Sequence, residues 1–258
     1  MYINIGSARL FFDVVGESLN ASTPNMFLRP TLILLHGGPG YDHSTLRPHF
    51  DRYSDTYQVI YLDHRGCGRS TGEKETWNLD QWADDIAVFC KTLGINQPIV
   101  FGQSFGGMVA MHYAARHPTD ISKLVLSSTA AKFHLDETVK MMRKVGGDAA
   151  AEVAYQFFSN PSQSTYETYG KICLPLYSNP NSLAASAFRD RAIERPEVTL
   201  HFFANEMVQM DLRREISSIR CPTLVIGGTI DPVTPPVCSK EIADSIGDNA
   251  YLHMFENC

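Results

Sequence analysis

Short apolar runs recur along the first half of the chain, and each gives way abruptly to glycines or charged residues. Residues 31–35, 57–62, 98–101 and 121–126 are almost continuously apolar. They are too short for buried helices and lack the alternation of a half-exposed sheet, so they predict strands of a buried parallel sheet. Between them the period lengthens. In residues 77–93 Leu79, Trp82, Ile86, Phe89 and Leu93 recur at helical spacing before Gly94. This predicts an amphipathic helix ended by glycine, with Trp77 and Trp82 in the core. Residues 108–115 predict an apolar helix that stops at His117-Pro118. Ahead of these come two short strands around Gly6-Ser7, a polar loop over 17–30, and a polar stretch over 41–56 containing a short helix. Strand followed by helix, repeated, predicts an α/β architecture with a mostly parallel, doubly wound sheet.

From about residue 130 the pattern changes. Residues 130–212 hold no comparable apolar strand and are helical by composition, with breaks expected at Gly146-Gly147, Asn160-Pro161, Leu174-Pro175 and Asn179-Pro180. Met141, Met142, Phe157, Phe158, Phe202, Phe203, Met207 and Met210 make this stretch rich in adaptable apolar side chains. Strands resume at 223–226 and 250–255. An insertion between two core strands predicts a helical cap that shapes a substrate pocket. The chain thus divides into a first core part (1–129), a cap or lid (130–214) and a second core part (215–258).

The 258 residues are enough for one such domain with its insertion, and 44% hydrophobic with 19% charged residues supports a sizeable core. The net charge of −6 comes without any basic block, which points away from nucleic acid as a partner. No apolar run approaches membrane-spanning length, and the N-terminus lacks the pattern of a signal peptide. The six cysteines are scattered without C-x-x-C pairing, as expected of free thiols in a reducing, cytoplasmic setting and not of a zinc site.

Candidate chemistry gathers at the strand ends. Residues 98–107, PIVFGQSFGG, place Gly102-Gln103-Ser104-Phe105-Gly106 at a strand-to-helix turn. There a serine is held in a strained conformation with its hydroxyl raised above the sheet and helix N–H groups beside it. The 31–35 strand ends in His36-Gly37-Gly38-Pro39-Gly40, a glycine loop suited to presenting backbone N–H groups. Together the two turns predict an oxyanion hole from the Gly38 and Phe105 N–H groups, with His36 as a structural residue of the loop. The 57–62 strand ends in Asp63-His64-Arg65-Gly66, where Asp63 and Arg65 are expected to pin the loop by charge-assisted hydrogen bonds. The 223–226 strand leads into Gly227-Gly228-Thr229-Ile230-Asp231-Pro232. Asp231 is therefore the expected acid that orients a histidine, in the chain order serine then aspartate.

These four motifs together resemble the α/β-hydrolase superfamily. The first two, His36-Gly37-Gly38-Pro39-Gly40 and Asp63-x-Arg65-Gly66-x-Gly68-Arg69-Ser70, are similar to those of prolyl iminopeptidases (proline iminopeptidases). The resemblance covers about residues 1–128 and 215–258, and the cap only loosely. It implies the α/β-hydrolase fold and a serine peptidase that releases N-terminal residues, preferentially proline, from a small-molecule or short-peptide substrate. It also implies no metal and no cofactor. In that family glutamates anchor the substrate's free amine. Asn205-Glu206 resembles the cap glutamate, and Pro232 stands where some members carry a second.

Two consequences follow. An esterase or amidase acting on non-peptide substrates is a second reading, because a buried ammonium needs counter-charge. The last predicted strand is followed only by Glu256-Asn257-Cys258, where related hydrolases carry a Gly-His step. His253 falls inside that strand. The sequence is therefore expected to be truncated just before its catalytic histidine. A catalytically inactive hydrolase fold that binds a partner is the reading from another class. Epoxide hydrolase and dehalogenase chemistry would need an aspartate where Ser104 stands.

Overall fold

The apolar runs assemble into one eight-stranded sheet. A computed structural model describes residues 1–22, 24–178 and 190–258. Strands β1 (Tyr2–Asn4), β2 (Arg9–Val15), β5 (Thr31–Leu35), β6 (Gln58–Leu62), β7 (Ile99–Gln103), β8 (Lys123–Ser127), β9 (Thr223–Gly228) and β10 (Ala250–Phe255) lie in the order β1-β2-β6-β5-β7-β8-β9-β10. β3 (Leu19–Asn20) and β4 (Phe27–Leu28) form a separate small hairpin within the expected polar loop. Only β1 and β2 run antiparallel to their neighbours; every pair from β6 to β10 is parallel.

The central strands are apolar on both faces. Ile33, Leu35, Ile60 and Leu62 join the larger core, while Leu32, Leu34, Val59, Tyr61 and Phe101 form a second cluster. With a side-chain period of two, consecutive apolar residues fill opposite faces, which is why these runs show no polar alternation.

Helix α1 (Leu79–Leu93) starts where the Asn78 side chain accepts the Gln81 N–H, and it ends at Gly94 in the left-handed conformation. Trp82, Ile86 and Phe89 are buried as their spacing predicts, whereas Leu93 is exposed. Helix α2 (Phe105–Arg116) is buried along nearly its whole length. The segment between β8 and β9 contains α3 (Leu135–Ser159), α4 (Gln163–Ile172), α5 (Pro196–His201), a π-helical turn (Phe202–Glu206) and α6 (Arg213–Ile216). Its two ends meet in an antiparallel bridge between Lys132 and Asp211, and the Leu212 N–H donates to the Ala131 carbonyl at 2.8 Å.

Some local expectations change. Residues 41–56 form two 3-10 turns, His43–Thr45 and His49–Tyr53. The break at Gly146-Gly147 is a kink within α3, where Gly147 has φ 80°. Helix α7 (Pro236–Ile246), packed on β9 and β10, leaves no clear pattern in the sequence, because its apolar stripe is diluted by Ser239, Lys240 and Asp244. The break at Asn179-Pro180 lies outside the described residues. Among the described residues no helix is long and apolar enough to cross a membrane.

Candidate active site

The strand order reverses direction at β5, with β6 on one side and β7 on the other. Loops after strands that flank such a reversal leave the sheet side by side and open a crevice. Leu35 stands opposite Gly102 in register, so the His36-Gly37-Gly38-Pro39-Gly40 loop and the Ser104 turn emerge together.

Ser104 has φ 52° and ψ −119°, a conformation costly for any residue with a side chain. Neighbouring groups hold it there. Its N–H donates to the Ser127 carbonyl at 3.0 Å, and its carbonyl accepts from Gly107 N at 2.9 Å, Met108 N at 3.2 Å and Thr129 Oγ1 at 2.7 Å. The helix also presses close on β5. A Cβ on Gly106 would lie 2.2 Å from the Leu35 carbonyl oxygen, so this position admits only glycine. A Cβ on Gly37 would lie 3.3 Å from the Ser104 Cβ, which puts the glycine loop directly against the serine. The expected nucleophile and the two expected donor turns are therefore brought together. Phe105 is the first residue of α2, where N–H groups have no intrahelical acceptor. The Gly38 N–H makes no hydrogen bond among the described residues.

His36 is the structural residue its position predicts. Its Nδ1 lies 2.7 Å from the Gly37 carbonyl and its Nε2 accepts the His64 N–H at 3.2 Å. Those partners select the tautomer with the proton on Nδ1. Burial lowers the pKa of His36 and lowers that of His64 further, so both imidazoles are neutral and unsuited to carrying charge.

The Asp63 loop is pinned by charge-assisted hydrogen bonds, although Asp63 and Arg65 take other partners instead of each other. Asp63 Oδ1 accepts from His43 N at 3.0 Å and pairs with His43 Nδ1 at 2.6 Å, while Oδ2 accepts from Arg69 N at 3.0 Å. Burial opposes its ionisation, but the His43 hydrogen bond, joined by the Arg69 N–H, holds its carboxyl below the usual range. Arg69 also reaches Asp42 at 2.7 Å, so the lone pairs of this buried Asp42-His43-Asp63 group are engaged by protein donors. Arg65 makes a bidentate pair with Asp85 at 2.7 and 2.6 Å.

Asp231 follows β9, with β8 between it and the Ser104 strand. The two loops thus leave strands roughly 10 Å apart, a span that a serine, an imidazole and a carboxylate fill in series. Its Oδ1 accepts from Val233 N and Thr234 N, both at 2.9 Å, and its Oδ2 accepts from Thr234 Oγ1 at 3.0 Å. These bonds fix the carboxylate in place. Tyr169 of α4 and Tyr177 share a 2.6 Å hydrogen bond, and burial, their mutual contact and the Asp231 charge push the Tyr169 phenol up. The Cys258 carbonyl accepts the Ile230 N–H at 2.8 Å, so β10 brings the chain back beside Asp231.

All nine histidines lie among the described residues, and none hydrogen bonds to Ser104 or Asp231. Those with carboxylate partners pair elsewhere: His43 with Asp63, His112 with Asp80, His117 with Asp84 and His134 with Glu241. His253 is a residue of β10. Glu206 ends the π-helical turn, and its Oε2 accepts the Leu79 N–H at 2.9 Å at the start of α1. Sequence patterns did not single out Thr129, which fastens the Ser104 carbonyl, or the hydrogen-bonded pair Tyr169 and Tyr177. Neither carries a local motif.

The fold has counterparts among known proteins. The sequence profile described as the alpha/beta hydrolase fold matches residues 30–258. Proline iminopeptidase PfmaB of Pestalotiopsis fici is 29% identical over 268 residues, spanning 99% of this chain and 91% of that protein. Among solved structures, a proline iminopeptidase-related protein of Thermus thermophilus superposes with a TM-score of 0.75 at 19% identity, covering 99% of this chain and 88% of that one. The enol-lactonase of Burkholderia xenovorans gives a TM-score of 0.69 at 23% identity, with 99% and 91% covered. With its parallel sheet, its serine at a strained strand-to-helix turn and a profile match over most of its length, this chain belongs to the α/β-hydrolase fold family and resembles the proline iminopeptidases within it.

Proposed function

We propose that this protein is a serine hydrolase that cleaves a small peptide, amide or ester through an acyl-enzyme on Ser104, acting most like a proline iminopeptidase. The observation that carries the reading is the strained Ser104 turn with the glycine loop packed against it. The Ser104 hydroxyl attacks the acyl carbon and gives its proton to an imidazole oriented by Asp231. The Gly38 and Phe105 N–H groups receive the negative charge that develops on the acyl oxygen. The imidazole then passes the proton to the departing amine or alcohol, and water releases the acyl group by the same route in reverse.

A second reading, an esterase or amidase without amine recognition, is favoured by one observation. One oxygen of Glu206 is already committed to the start of α1, and Pro232 follows Asp231. The test is incubation with a fluorophosphonate followed by intact mass, then turnover of proline β-naphthylamide and of a p-nitrophenyl ester. A single adduct on Ser104 with preference for the proline amide supports the peptidase reading. An adduct with ester turnover alone supports the second. No adduct overturns both.

A further inference from the structure

The glycine loop that carries the Gly38 N–H is poor in means to hold itself. Three of its five residues are glycine, and Pro39 has no N–H to donate. What fixes its outer half comes from the cap. Thr199 of α5 donates its hydroxyl to the Pro39 carbonyl at 2.6 Å, a bond buried at both ends. The Arg195 N–H donates to the next carbonyl, that of Gly40, at 2.6 Å. The backbones meet so closely that a Cβ on Gly40 would lie 2.4 Å from Thr199 Oγ1 and 2.5 Å from the Arg195 carbonyl oxygen. The Arg195 guanidinium reaches the Gly68 carbonyl at 3.4 Å, and His201 Nε2 lies 3.0 Å from the Trp77 carbonyl. One short cap segment thus grips two consecutive carbonyls of the loop whose first half packs on Ser104.

We infer that Thr199 is a positioning residue that locks the oxyanion loop to the cap, so that the seat of the cap sets the aim of the Gly38 N–H. This rests on the proposed serine hydrolase reading. Replacing the hydroxyl by a methyl of equal size leaves the Pro39 carbonyl buried without a donor, and the loop must shift to find one. A misdirected oxyanion donor acts on the transition state and not on ground-state binding.

The test compares Thr199→Val with Thr199→Ser in the full chain. Thr199→Val is expected to slow fluorophosphonate labelling of Ser104, and kcat for the preferred substrate, by about 10- to 100-fold with KM changed less than about 3-fold. Thr199→Ser, which keeps the hydroxyl, is expected to stay within about 3-fold of the parent on all three. Amide hydrogen exchange over residues 37–41 is expected to speed up in Thr199→Val alone. Equal labelling in the two variants, or a loss shared by Thr199→Ser, would overturn the inference. Absence of label on the parent protein would sink the hydrolase reading instead. The exchange comparison would still decide the lock, since unchanged exchange over residues 37–41 in Thr199→Val rejects it.

Discussion

Asp63 and Asp231 occupy matching places, each just beyond the end of a parallel strand on the same edge of the sheet, yet their surroundings differ. Asp63 is fully buried, paired with His43 and capped by the Arg69 N–H, and its neighbours hold the carboxyl below the usual range. Asp231 is half-buried and, among the described residues, held by donors of its own turn. The aspartate that already has a histidine is sealed into the core, and its loop needs that pair to keep its shape. The aspartate that has none follows β9, two strands from the strand that leads into the Ser104 turn. Position at a strand end alone does not assign a role; burial and the donors already satisfied set the two aspartates apart.

The comparison can be broken by substitution. The largest effect belongs to the shared reference point: Ser104→Ala should abolish the fluorophosphonate adduct and lower turnover by about 10⁶-fold. Adduct formation in that variant would move the nucleophile elsewhere and remove the reason to favour Asp231. Next, Asp231→Asn should lower kcat by about 10⁴-fold with a nearly unchanged melting temperature, because an asparagine amide can still meet Thr234 Oγ1. Asp63→Asn should do the opposite. An amide NH₂ must then face either the His43 or the Arg69 N–H, at a cost of about 2–4 kcal/mol in denaturant unfolding, with turnover per folded molecule retained. If the two variants behaved alike, the division of roles would be wrong.

The pH dependence of stability sharpens the same contrast. His36 and His64 have folded pKa values depressed from 6.5, so the unfolded chain takes up protons that the folded one refuses. Stability is therefore full above about pH 6.5 and falls as pH drops below it, at a limiting slope of about 1.4 kcal/mol per pH unit for each histidine. Asp63, depressed from 3.8, adds a further loss as pH falls below that value. Urea unfolding between pH 8 and pH 5 measures the first window, and a flat profile would contradict the buried neutral imidazoles.

The smallest expected effect is at Glu206. Glu206→Gln removes a carboxylate from the start of α1 and should cost about 0.3–1 kcal/mol in thermal unfolding. If Glu206 also anchors a substrate amine, KM for proline β-naphthylamide rises while KM for a p-nitrophenyl ester does not.

The sequence by itself determined the sheet, the elbow and the glycine loop, because each is written in adjacent residues. Five apolar residues make a two-faced buried strand, Gly-x-Ser-x-Gly between strand and helix makes the strained turn, and Asp63-x-Arg65 ahead of Gly66 and Gly68 makes a pinned loop. It marked Glu206 by likeness alone, and it missed α7, whose apolar stripe is thin. What only the tertiary structure decided are contacts between residues far apart in the chain. Strand order set Leu35 beside Gly102 and so brought the glycine loop onto Ser104. Folding of the segment between β8 and β9 put Thr199 on a carbonyl 160 residues earlier. The physical reason is range: backbone conformation and side-chain period act over a few residues and leave a local pattern, whereas a hydrogen bond between a threonine and a distant carbonyl leaves none.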